Sequence, residues 1–324
     1  MAGNSVYSTL LTAAVEARSK TIQDAISNHN ALLWILKDKN LIKPYEGGTK
    51  LLVPVVYDAP GSNVVAYSGM DLLPTTDGEF LTNAEYNICN YHTSVVLSGE
   101  DERANSGKQK IIDLLTAKVD AAEKMLINRI VNDLYSDGSD PKSLVGIAAA
   151  ISVAPTTGTY AGIDRSLAGN QFWRNKAQTG TVITSENIFA EYLKMHSKLV
   201  RGADRPDVIL ACADHWQKFL TMVHSQNRFE GTSSSKLANA GFQNISFMNT
   251  PVVVELGTGG SATTFADDQS YFLNTRGMAY RPFKSFDLRN IESPVVAQDA
   301  QVRRMFTSSA FVVSAPFLSG TIQG

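Results

Sequence analysis

Apolar residues recur every three or four positions from Ile111 to Leu134. Ile111, Leu115, Val119, Ala122, Leu126, Ile130 and Leu134 alternate with Lys110, Asp113, Lys118, Asp120, Glu123, Lys124 and Asn128. This spacing gives a helix one buried stripe and one wet face, and it predicts a single helix from Asn105 to Asp137. Asn105 or Ser106 can cap its start, Glu100, Asp101 and Glu102 precede the positive end of its dipole, and Gly138 offers a left-handed stop. About 30 residues at about 1.5 Å each span on the order of 45 Å, the width of a domain, so neighbouring elements must pack along this helix on both sides. A dimerising coiled coil would need a stricter 3.5-residue repeat held over more heptads.

Ahead of this helix, Ser5 to Lys39 contains two helical stretches, the second marked by Ile22, Ile26, Leu32, Leu33, Ile35 and Leu36 around Trp34. A strand follows from Lys50 to Tyr57, in which Pro54 implies an edge or a bulge. Residues Ala59 to Asn83 are rich in turn signals (Pro60-Gly61, Ser68-Gly69, Pro74, Asp77-Gly78), with a short strand-like piece at Val64 to Tyr67. Strict alternation then resumes from Ile88 to Leu97, with Cys89, Tyr91, Thr93, Val95 and Leu97 on one face. Two long strands around some 25 loosely structured residues predict an extended hairpin arm. So long a connection is uncommon inside a compact domain, and the expectation is that it lies on another subunit.

Beyond the long helix, an apolar segment from Leu144 to Val153 leads through a turn-rich connection to Phe172, Trp173, Arg174 and Asn175. Read from its residues alone, this is a surface crossover anchored by Trp173, with Arg174 paired to a carboxylate or a carbonyl. From Thr181 helices and strands alternate, as in a layered α/β lobe. Thr184 or Ser185 is expected to cap a helix with the stripe Ile188, Tyr192, Met195 and Leu199, ended by Gly202. Val208 to Cys212 reads as a buried strand, and Asp214 as the cap of a helix carrying Trp216, Phe219, Leu220 and Val223. Ile245 to Met248 and Val252 to Leu256 read as strands. Short strands from Gln269 to Ser319 are expected to rejoin a sheet beside the long helix.

The 324 residues, 44% hydrophobic and 19% charged, suffice for a sizeable core divided into two lobes. With 29 basic against 31 acidic residues the net charge is -2, which offers no footprint for tight, sequence-independent nucleic-acid binding. No apolar run reaches the roughly 20 residues of a membrane span, and the N-terminus does not resemble a signal peptide, so a cytoplasmic site of synthesis is expected. Candidate chemistry is sparse. Gly257, Gly259 and Gly260 follow a strand without the Lys-Ser or Lys-Thr pair of a phosphate cradle and read as a hairpin tip. His29, His92, His196, His215 and His224 show no metal spacing, and Asp267-Asp268 and Glu100 to Glu102 read as solvated caps. Cys89 and Cys212 are distant singles that read as small core residues, and no serine elbow is present. Neither an enzyme, a cofactor nor a metal is expected.

The order of parts, namely helical arm, long hairpin, very long helix, α/β lobe and returning strands, resembles the major capsid protein of tailed bacteriophages. The stretches Gly162-Ile163-Asp164-Arg165-Ser166, Phe172-Trp173-Arg174-Asn175 and Pro206-Asp207-Val208-Ile209-Leu210 are similar to segments of many such proteins. The resemblance implies an α+β, Hong Kong 97-like fold with an N-terminal arm at 1–46 and an E-loop hairpin at 47–98. It further implies a peripheral domain with a spine helix at 99–155 and 266–324, and an axial domain at 156–265. It implies a virion protein whose copies form hexamers and pentamers of an icosahedral shell around double-stranded DNA, touched weakly and non-specifically. A separate scaffolding protein and a portal are the implied partners, with assembly in the bacterial host cytoplasm and no membrane. Asp164, Arg165, Trp173, Arg174, Lys50 and Tyr67 are the residues it marks for assembly. Some relatives join subunits by an isopeptide bond from a hairpin lysine; Lys50 lies at the hairpin base, so that chemistry is expected to be absent. An encapsulin-type compartment shell, or a soluble two-lobed enzyme using the cleft between long helix and α/β lobe, are the alternatives.

Overall fold

The computed structural model describes residues 31–57, 66–73, 81–98, 108–225, 244–255, 268–284, 291–293 and 300–324. A short helix α1 (Ala31–Asp38) buries Leu32, Leu33, Ile35 and Leu36. The long amphipathic helix is α2 (Lys108–Leu134), 27 residues in length. Its stripe is as the periodicity demands, with Val119, Ala122, Leu126, Ile130 and Leu134 all buried. The side chains of Ile111 and Leu115, the expected caps Asn105 and Ser106, and Glu100 to Glu102 lie outside the described residues. Gly138, at φ +78°, supplies the left-handed residue that turns the chain away after the helix.

Strand β1 (Lys50–Val56) pairs antiparallel with β2 (Leu81–Asn87), Val56 opposite Leu81 and Lys50 opposite Asn87. This corrects the expected hairpin. Its return strand starts inside the segment that reads as turn-rich, at Leu81 to Asn83, and ends at Asn87, while the alternating run forms a separate strand, β3 (Cys89–Ser98). On β3, Cys89, Tyr91, Val95 and Leu97 are buried, facing the long helix, and the intervening residues are wet. β3 pairs with β13 (Ala300–Val313), which also takes β11 (Met278–Pro282) and β12 (Ile291–Ser293) in one four-stranded sheet. Residues 41–45 run beside β11 and close its free edge through Lys43 N to Tyr280 O and Tyr45 N to Pro282 O, both 2.9 Å.

The second sheet has six strands in the order β6-β14-β10-β7-β9-β8. They are β6 (Lys176–Thr179), β7 (Val208–Ala211), β8 (Asn244–Phe247), β9 (Thr250–Val254), β10 (Gln269–Leu273) and β14 (Gly320–Gln323). β10 and β14, expected in the sheet beside the long helix, belong instead to this sheet, and it is β11, β12 and β13 that join β3. Every residue of β7 and β10 is buried, because both faces of the sheet are covered. On one face Ile209, Ala211, Val252, Phe272 and Ile322 pack under α4 (Ile188–Leu199) and α5 (Ala213–Ser225), which follow the four-residue helix α3 (Ile147–Ala150). On the other face Val208, Leu210, Val253, Tyr271 and Leu273 join the same core as Leu126, Ile130 and Leu134 of the long helix. Among the described residues, apolar side chains of the long helix and of the α/β lobe thus share one core.

Thr184 closes the start of α4 as expected: its hydroxyl accepts from Asn187 N at 3.3 Å, its carbonyl from Ile188 N at 3.0 Å, and the Asn187 side-chain oxygen accepts in return from Thr184 N at 2.8 Å. The cap of α5 differs from expectation. At α5 the first turn is received by Cys212, whose carbonyl accepts from Trp216 N and whose sulfur accepts from His215 N at 3.3 Å. Asp214 lies within that turn and pairs with Lys218.

Candidate assembly interface

The connection between long helix and α/β lobe folds into a knot of aromatic and basic side chains. Strands β4 (Thr159–Tyr160) and β5 (Ile163–Asp164) form a tight antiparallel pair. Ala161 at φ +50° and Gly162 at φ +79° make its turn, and the Ala161 carbonyl accepts from Glu85 N of β2 at 2.8 Å. Trp173, fully buried, donates from its indole to Tyr160 O at 3.0 Å and stacks on the Tyr160 ring at 6.0 Å. Tyr160 meets Tyr86 of β2 edge-on at 5.9 Å, and the Tyr86 hydroxyl donates to Val313 O of β13 at 2.7 Å. Burial pushes both tyrosine hydroxyls well above the ordinary phenol range, so they stay protonated.

Of the residues marked in the sequence, four meet in this knot. Arg165, 2% exposed, lies over the Tyr160 ring at 5.2 Å and donates to Ala150 O at the end of α3. Burial draws the guanidinium pKa down, and Tyr160 works against that shift. Arg174 takes carbonyls rather than a carboxylate, from Arg165 at 2.7 Å, Ser166 at 3.2 Å and Leu167 at 3.1 Å, so one fork holds three successive peptide units. Asp164 accepts from the amide and hydroxyl of Ser166, both 2.8 Å, and these bonds hold its carboxyl below the usual range. Trp173 is the fourth. Lys50 stands nearby, in an exposed 2.8 Å pair with Glu85 at the hairpin base. Tyr67 is not part of the group.

Sequence reasoning missed the aromatic partners. Tyr57, just beyond β1, stacks on Phe172 at 4.3 Å and an interplanar angle of 12°, and Tyr86 and Tyr160 complete the knot. The apolar members of β2, Ala84 and Tyr86 on alternate positions, were the available signal.

The hairpin carries one group of exposed apolar side chains. Its inner face buries Val55, Ala84 and Tyr86, while Leu52, Val56 and Leu81 on the outer face are 60%, 75% and 56% exposed. Residues 66–73 turn at Gly69, φ +60°, and hold Tyr67, Met70, Leu72 and Leu73 exposed, Met70 and Leu72 completely. Clustered apolar exposure of this kind marks a surface meant to be covered. A crevice of about 230 Å³ between β2, the end of the long helix and the 159–162 turn is lined by Glu85, Asp137, Tyr160 and Gly162 among others. It is smaller than the usual ligand pocket. Among the described residues no helix is long and apolar enough to cross a membrane, and no three metal-ligating side chains cluster.

No family model matches this chain, and no curated protein matches it by sequence. Among solved structures, a chain of the cyanophage A-1(L) capsid asymmetric unit superposes with a TM-score of 0.60 at 15% identity, over 88% of this chain and 90% of that one. It has the tailed-phage capsid fold. The capsid of an empty GTA particle gives a TM-score of 0.56 at 11% identity, with 88% of both chains covered. A virus-like particle from Pyrococcus furiosus gives 0.50 at 8% identity, over 98% of this chain and 99% of that one. The Hong Kong 97-like capsid fold accounts for the α+β combination of a long helix laid on one sheet and an α/β lobe on a second.

Proposed function

We propose that this chain is a structural shell protein of a virion, assembling in many copies as hexamers and pentamers into a closed icosahedral container for double-stranded DNA. The supporting observation is the capsid fold, matched over nearly nine-tenths of this chain and of the cyanophage capsid chain. In this reading the N-arm is 1–46, the E-loop hairpin 47–87, the peripheral domain 88–155 with 278–313, and the axial domain 176–273 with 320–324. The pairing of β3 with β13, and of β10 and β14 within the six-stranded sheet, supports this division. The hairpin lays Leu52, Val56, Leu81 and the 66–73 turn on a neighbouring copy. The aromatic knot around Trp173 fixes the angle at which the hairpin leaves the body. Such a contact joins different patches on the two copies, and heterologous contacts close into rings when their rotation permits. A scaffolding protein and a portal complete the assembly. The near-neutral charge lets DNA enter and leave a container that does not hold it tightly.

Sedimentation of the full chain beside a variant lacking residues 60–77 tests this. Fast-sedimenting particles from the full chain, and a folded, slowly sedimenting species from the deletion, are expected; particles of normal size from the deletion would remove the hairpin from assembly. A second reading, a protein compartment that holds cargo proteins, is favoured by the match to the Pyrococcus furiosus particle over almost the whole chain. Nuclease-protected DNA in purified particles supports the virion reading, and its absence together with co-purifying protein supports the compartment.

A further inference from the structure

The α/β lobe contains a buried polar chain that neither the capsid fold nor the hairpin uses. Tyr192 of α4, Ser270 of β10 and His215 of α5 are each fully buried. The Tyr192 hydroxyl lies 2.8 Å from Ser270 Oγ, which lies 2.8 Å from His215 Nδ1. His215 Nε2 has no hydrogen-bond partner among the described residues. The chain therefore links both helices to the sheet beneath them at one point.

Counting protons fixes its direction. With a neutral ring carrying its proton on Nε2, Tyr192 donates to Ser270 and Ser270 donates to His215 Nδ1, so both hydroxyls are satisfied and the buried Nε2–H is the one donor of the chain without a partner among the described residues. Adding one proton at Nδ1 turns that nitrogen into a donor. Ser270 Oγ must then accept from the ring, its own proton can no longer be given to Nδ1, and one of the two hydroxyl protons, that of Ser270 or that of Tyr192, loses its acceptor. The loss falls in an apolar core, where the Tyr192 ring packs against Phe219, Phe247 and Phe272 at centre-to-centre distances of 5.6, 5.9 and 5.1 Å, so a buried hydrogen bond is given up. A positive charge is left in the same core. The charged groups near the ring are Asp214 and Asp268, which favour the cation, and Lys218 on the same helix, which opposes it. Burial dominates them and carries the imidazole pKa down to about 4. The remaining polar neighbour is the Cys212 thiol, which receives the His215 amide and is itself held protonated by burial.

We infer that the Tyr192–Ser270–His215 chain is an acid-sensitive lock, holding α4 and α5 on the six-stranded sheet while the ring is neutral and releasing them when it is protonated. The sign follows from linkage. Because the folded pKa lies below the unfolded value of 6.5, the unfolded state binds the proton more readily. The stabilisation is complete above pH 6.5 and is lost as pH falls toward 4. The lock is confined to the lobe and does not depend on shell assembly.

Hydrogen exchange read by mass spectrometry at pH values from 7 to 4, corrected for the intrinsic rate at each pH, tests it on the full chain. Peptides from 188–199 and 213–225 are expected to open on the order of a hundredfold more at pH 4 than at pH 7, while 116–134 of the long helix keeps its protection. His215→Gln, which cannot titrate, should flatten that loss, and His196→Gln, at a half-buried histidine of α4, should retain it. Simultaneous opening of the long helix and the lobe in the native chain would overturn the lock even if neither variant folds. Retention of the acid loss in His215→Gln would overturn it equally.

Discussion

Tyr57 and Phe172 stack face to face at 4.3 Å although they belong to the hairpin and to the connection after the long helix. Their contact ties the hairpin base to the aromatic knot, together with the bond from Glu85 N to Ala161 O and the edge-on meeting of Tyr86 with Tyr160. A stacked pair contributes about 0.5–1.5 kcal/mol beyond the area it buries. Phe172→Ala is therefore expected to lower unfolding free energy by about 2 kcal/mol. Particle yield should fall further than that loss of stability alone accounts for, because the angle of the hairpin is freed. Denaturant titration and sedimentation of the same preparation separate the two effects; equal yield at reduced stability would show that the stack does not orient the hairpin.

The knot itself depends on Trp173. Trp173→Ala should cost about 3–5 kcal/mol and leave little soluble protein, since the indole is fully buried against Tyr160. Trp173→Phe keeps most of the volume and removes the donor to Tyr160 O, at a cost of about 1–3 kcal/mol. Thermal unfolding of both variants checks the ranking.

Two glycines near the end of the long helix carry different constraints. A Cβ on Gly146 would stand 2.4 Å from Leu134 O and from Ser136 N, both backbone atoms that cannot move aside. Gly146→Ala is expected to cost more than about 2 kcal/mol, by forcing the connection off the helix end. Gly138→Ala pays chiefly for its left-handed φ, about 1 kcal/mol. Denaturant midpoints for the two variants should differ accordingly, and equal midpoints would refute the close approach.

The facing residues Val56 and Leu81 lie on the exposed side of the hairpin. Val56→Glu combined with Leu81→Lys should change the stability of the unassembled chain by no more than about 0.5 kcal/mol, as exposed substitutions do. It should nevertheless suppress particle formation. Unchanged particle yield would exclude this face from the interface.

Much of the framework was legible because it is written in local periodicity. The stripe of the long helix, the Ile188, Tyr192, Met195 and Leu199 face of α4, the buried strand from Val208 and the alternation of β3 all follow from spacing alone. Partners were not legible. Leu81 to Asn87 has two asparagines and little β-branching, and it is a strand because β1 and the core side of Ala84 and Tyr86 hold it there. The pairing of β3 with β13, some 200 residues away, leaves no mark in either segment, and the same holds for the insertion of β14 between β6 and β10. In the knot, Trp173 and Arg174 stood out by residue type. That Arg174 would hold three carbonyls, and that Arg165 would be buried over a tyrosine, depends on a turn whose shape is set by Ala161 and Gly162.

Electron microscopy of the purified full chain, produced with and without a scaffolding protein, tests the shell assignment most directly. Closed particles, or rings of five and six subunits, are the expected result. A discrete species of one to four copies under both conditions, with no larger assembly, would contradict it.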